Sequence, residues 1–100
     1  MDLEKIDLAA LKKEHGEIHY IEVEAEDGTF GGIFKKPTIK ILAAVSKTAE
    51  TDPLRASIVM FNSTKVLVDP EIEESEEMKL AAAEAASKLF RRFETTAKKL

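Results

Sequence analysis

The side chains best suited to chemistry are the two histidines, His15 and His19, whose imidazoles titrate near neutral pH and serve as general bases or metal ligands. Four apart on a helix they would share a face and could grip a cation, but Gly16 between them breaks a helix at that point. His15 then falls at a helix C-terminus, where a partly positive ring is favourable, and His19 falls on a strand beyond it. A structural role is expected for both. Glu22, Glu24 and Glu26 alternate with apolar residues and Asp27 follows them, a pattern that suits a solubilising outer face better than an acid and base pair. Ser46, Ser57, Ser63, Ser75 and Ser87 stand in no nucleophile-elbow context, and there is no Gly-rich phosphate loop and no zinc-binding helix motif. With no cysteine, disulfides and thiolate metal sites are excluded, and the redox compartment leans toward the cytoplasm. The expectation is a protein without catalytic residues, metal, cofactor or small-molecule substrate.

The elements that position these groups begin with a one-domain chain: 100 residues at 44% hydrophobic content fill one core, not two. Net charge is -4, which argues against nucleic acid, because phosphate binding needs clustered Lys and Arg. No apolar run approaches the ~18 residues of a membrane span, and Met1-Asp2-Leu3-Glu4 lacks the start of a secretory signal. A soluble, cytoplasmic protein with no membrane partner is expected.

Leu3, Ile6, Ala10 and Leu11 share a helical face, with Asp2 as cap and Gly16 as terminator, so residues 1–16 read as an N-terminal helix. Residues 17–36 read as a β-hairpin. Ile18 to Ala25 alternates, and Asp27-Gly28 suits a two-residue primed turn that would pair Ala25 with Phe30, Val23 with Gly32, and Ile21 with Phe34 on the buried face. Glu24 with Gly31 and Glu22 with Ile33 then face outward. Gly31-Gly32 marks either a docking edge for a partner or a twist that lets a helix pack on the hairpin.

Pro37 ends the strand and Thr38 caps the next element, so residues 38–64 read as two short helices, the second opened by Asp52-Pro53 and striped by Leu54, Ile58 and Phe61. Two readings fit Lys65-Val66-Leu67-Val68, a third strand or an extended part of a connector over 65–74. A long helix is expected over 75–99. Six carboxylates from Asp69 to Glu77 precede it and five bases from Lys88 to Lys99 close it, which complements the helix dipole without invoking a partner. Its broad apolar side carries Met78, Ala82, Ala85, Ala86, Leu89, Phe90, Phe93, Ala97 and Leu100. Core packing takes most of that stripe, but the arc is wider than one neighbouring helix needs, leaving room for an interface with another subunit or an extended client. The fold class is α+β: an N-terminal helix and hairpin followed by a small helical bundle with a long C-terminal helix.

Phe34-Lys35-Lys36-Pro37-Thr38 after a hairpin, then Asp52-Pro53-Leu54, Asn62 and the acidic run from Asp69 to Glu77 before an Ala-rich helix, resemble the small tail assembly chaperones of tailed bacteriophages. The likeness covers roughly residues 18–95 and departs in the N-terminal helix and in Ser63 to Val68. It implies a non-enzymatic protein that holds the apolar helices of a tape measure protein soluble in the host cytoplasm until tube subunits replace it. On that reading the client, or a second copy, docks on Ala82, Ala85, Ala86, Leu89, Phe90 and Phe93, with Leu54, Ile58 and Phe61 as a second surface. The alternative is an accessory or structural subunit of a phage particle, or a stand-alone interaction module, that uses the same faces permanently.

Overall fold

Most helices of the protein start where a short polar side chain captures a free backbone amide. The computed structural model describes residues 1–89 and 95–100. A 3-10 turn at Leu3–Lys5 leads into α1 (Leu8–His15), capped by Asp7, whose carboxylate accepts from the Ala10 amide at 3.0 Å. Two strands come next, β1 (Ile18–Ala25) and β2 (Gly28–Lys35). Thr38 Oγ1 accepts from Ile41 N–H at 3.2 Å to begin α2 (Ile39–Ala49), and Asp52 accepts from Arg55 N–H at 3.0 Å to begin α3 (Pro53–Thr64), with proline in the first turn, where its missing amide costs nothing. Without a loop α3 passes into β3 (Lys65–Val68), then a single turn α4 (Pro70–Glu73), and α5 (Glu76–Lys88), capped by Ser75. Residues 65–74, expected as a connector, therefore hold a strand and a helical turn.

The strands form one antiparallel sheet in the order β1-β2-β3. β2 is central, so Gly31-Gly32 is not a docking edge. Both glycines instead admit side chains from within the fold: a Cβ at Gly31 would collide with the Tyr20 hydroxyl, and one at Gly32 would lie 2.9 Å from Phe34 Cε2 and closer still to Val68. In the hairpin the turn residues are Glu26 and Asp27, one position earlier than the Asp-Gly signal implies, and Ala25 pairs with Gly28, Val23 with Phe30, and Ile21 with Gly32. Among the described residues only Gly16 and Gly28 have positive φ, so the turn is not of the primed type, and the unusual dihedral (φ 146°) falls on Gly28 at the head of β2. The slip from the expected register is two residues. Because side chains alternate with period two, the same face stays buried.

That face carries Ile21, Val23 and Phe34 into a core with Met60 and Phe61 of α3, Ile72 of α4, and Ala82, Ala83 and Ala86 of α5. Phe34 and Phe61 meet edge to face, with ring centroids 5.8 Å apart, an arrangement worth about 0.5–1.5 kcal/mol beyond the area it buries. Alanines on α5 let that helix approach β1 and α3 closely, so bulk comes from the aromatics and the small residues set the spacing. Thr64, fully buried at the end of α3, satisfies its hydroxyl by donating to the Met60 carbonyl at 2.7 Å.

Two sequence expectations fail on the periphery. Ile33, placed on the outer face, is 1% exposed, because Leu3 and Leu8 of the N-terminal segment line a cavity of about 210 Å³ with Ile18, Tyr20 and Ile33 and shield that end of the sheet. α5 is described over Glu76–Lys88, residues 95–100, expected in the same helix, form neither helix nor strand, and residues 90–94 lie outside the described residues. Thr95-Thr96 put two β-branched residues in sequence where helix propensity is low.

Candidate docking surface

α5 presents two faces. One is the core face described above, and on it the burial of Ala82 and Ala86 is complete, as is that of Phe61 on α3, all at 0% exposure. These three expected contact residues are thus internal packing, because the helix bearing the alanines is pressed against β1 and α3. Ala85 is half-buried against the same core and Leu89 is half-buried at the helix end. Phe90 and Phe93 lie outside the described residues.

The other face borders a groove. Val45 and Ala49 of α2, Pro53 and Leu54 of α3, and Leu80 and Ala83 of α5 line an open hollow of about 460 Å³. Leu54 and Leu80 also wall a second hollow of about 510 Å³, with Ile58 between them and Asp52, Arg55 and Glu76 at its rim. Leu54 is 68% exposed and stands between the two. The site thus keeps Leu54 and Ile58 from the sequence reading and adds Val45, Ala49 and Leu80, while Ala83, 3% exposed, touches the hollow as part of the core. Val45 and Ala49 are four apart on α2, and Leu80 and Ala83 three apart on α5, spacings that place each pair on one face and that could have exposed the site.

The histidines are not brought together. His19 of β1 has its Nε2 2.6 Å from Glu17 Oε2, and His15, at the end of α1, lies 3.8 Å from Glu14, with Gly16 at φ 79° turning the chain between them. Among the described residues no group of three His, Cys, Asp or Glu side chains is placed to hold a metal ion, and no helix is long and apolar enough to cross a membrane.

Sequence reasoning passed over the most tightly held carboxylate, Asp69. In the sequence it is only the first of the six carboxylates before the long helix, and its side chain makes no cap bond to α4. Instead its Oδ2 accepts from the Gly31 amide at 2.8 Å and from the Met1 ammonium at 3.0 Å, and its own amide donates to the Gly31 carbonyl at 3.0 Å. Burial pushes its pKa up, but the Gly31 amide and the Met1 ammonium outweigh burial and hold it below the usual carboxylate value. Neighbouring Tyr20 titrates above its ordinary value, from burial first and then from the negative charges of Glu22 and Asp69. An ionised carboxylate held by two donors on one oxygen is a pin between β2 and the start of α4. On α3's far side Lys65 Nζ pairs with Glu73 at 2.7 Å and lies 5.4 Å from the centre of the Phe61 ring, closing the strand onto the helical turn.

No family model matches the chain, and no curated protein does. A solved structure of an uncharacterised protein from Bacillus stearothermophilus is similar to it over 93% of this chain and 100% of its own, with a TM-score of 0.65 at 22% sequence identity. That likeness shows a shared fold.

Proposed function

We propose that this protein is a non-enzymatic, tail assembly chaperone-like protein that holds an apolar helix of a client in the groove between α2, α3 and α5, in the host cytoplasm. The observation that carries the reading is Leu54, a large apolar side chain left 68% exposed where it lines two open hollows. Covering one such leucine is worth about 1.5–3 kcal/mol, and an amphipathic helix laid in the groove would also cover Val45, Ala49 and Leu80. The resemblance of Phe34 to Thr38 and of Asp52-Pro53-Leu54 to tail assembly chaperones supplies the class of client, a tape measure-like helix. Transient holding fits the groove's open form, since a client that must later be released gains from a shallow site. Co-expression tests this: a helical tape measure fragment that precipitates alone is expected to stay soluble with the wild-type chain and to precipitate with Leu54→Glu. Equal solubility with both chains would remove the groove from the account.

A further inference from the structure

A second surface, separate from the groove, is built around the open side of β1. Since the strand order is β1-β2-β3, β1 is an edge, and among the described residues no backbone hydrogen bond from outside the sheet reaches residues 18–25. α5 packs against β1 there, and Val23 and Ala25 of β1 with Met78 and Ala81 of α5 line an open trough of about 430 Å³ that Glu24, Glu26, Ser75 and Glu77 also line. None of the side chains of Glu22, Glu24, Glu26 and Glu77 makes a hydrogen bond or ion pair among the described residues.

We propose that the β1 edge and this trough accept an extended segment of a partner protein, added as a fourth strand, with Lys or Arg at alternate positions and small apolar residues between them. The alternation comes from the pleat. In an added strand, residues opposite Glu22 and Glu24 point to the outer face and meet their carboxylates, while the residues between them point to the inner face, over the trough beside Val23 and Met78. A second copy of this chain does not fit. Antiparallel pairing of β1 with itself about a two-fold axis normal to the sheet sets Glu22 and Glu24 against the same carboxylates, which is how exposed edges are kept from self-association. The edge is closed to its own kind and open to a basic strand.

The test uses the intact chain and a synthetic ten-residue peptide alternating Lys with Val or Thr, alongside the same peptide N-methylated at every second amide on the side facing the protein. The unmodified peptide is expected to bind, to slow amide exchange across residues 18–25, and to weaken with added salt. Glu24→Lys with Glu26→Lys, both at exposed positions, should fold normally and lose at least about tenfold in affinity, and the N-methylated peptide should lose as much. Leu54→Glu should leave peptide binding unchanged, which separates this surface from the groove. Equal binding of the methylated peptide, protection confined to α3 and α5, self-association through β1, or no binding at millimolar peptide would each overturn the proposal.

Discussion

The two faces of α5 are built from similar residues and have opposite fates. Ala82 and Ala86 vanish into the core, whereas Leu80, a larger and more apolar side chain, remains half-exposed at a groove. Size and hydropathy alone do not decide burial. What decides it is which neighbour the helix packs against: the alanine face meets β1 and α3 at close range, and the leucine face looks into space that α2 and α3 leave open.

The largest effect that would break or sharpen this contrast is expected on the core face. Ala86→Glu puts an unpaired charge at a fully buried position, and a loss of at least about 3 kcal/mol, enough to unfold a marginal domain, should appear in urea melts. Tolerance of Glu there would mean that the core face is itself open.

Next comes the pin at Asp69, which ties β2 to the start of α4. Asp69→Ala removes two charge-assisted hydrogen bonds and leaves the Gly31 amide without its side-chain partner, so a loss of about 1.5–3 kcal/mol is expected. The folded-state pKa is depressed, so the stabilisation is fully present above the unfolded carboxylate pKa and is lost as pH falls through the folded value. Wild type and Asp69→Asn should therefore converge in stability on acidification, and a gap that persists at the lowest pH would show that ionisation is not what holds the pin.

A smaller effect belongs to the hairpin. At Gly28 an added Cβ has room, since its nearest contact, Phe30, is at an ordinary 3.6 Å, but φ 146° is strained for any branched residue. Gly28→Val should cost more than about 1 kcal/mol and Gly28→Asn less. Equal, negligible losses in thermal melts would contradict the positive φ.

Much of the architecture is legible in the residues because local chemistry dictates it. Thr38, Asp52-Pro53 and Ser75 announce three helix starts, and the alternation from Ile18 to Ala25 announces a strand with its buried face correctly assigned. What is not legible depends on partners distant in sequence. Lys65 to Val68 becomes a strand because Gly32 to Phe34 offers a central strand to pair with, and Ile33 is buried because Leu3 and Leu8 come over it. The hairpin register misses by two residues because Asp27-Gly28 looks like a primed turn, whereas glycine takes its unusual φ just after the turn. At the site, Leu54 and Ile58 are readable as a stripe, while Leu80 escapes notice because α5 has two apolar faces and the alanine-rich one dominates the pattern. Ala82, Ala86 and Phe61 are apolar positions whose sequence carries no sign of whether the neighbour covering them is inside the chain or outside it.

The measurement closest to the central claim is calorimetric titration of a helical tape measure fragment into wild type, Leu54→Glu and Leu80→Glu, with melting curves of all three. Both substitutions change side chains that the fold leaves at least partly exposed, so stability should shift by no more than about 0.5–1 kcal/mol. Affinity for the fragment should fall at least about tenfold, since a carboxylate would then be buried under an apolar helix without a partner. Unchanged affinity in both variants, with folding intact, would contradict the assignment of the α2, α3 and α5 groove as the docking surface.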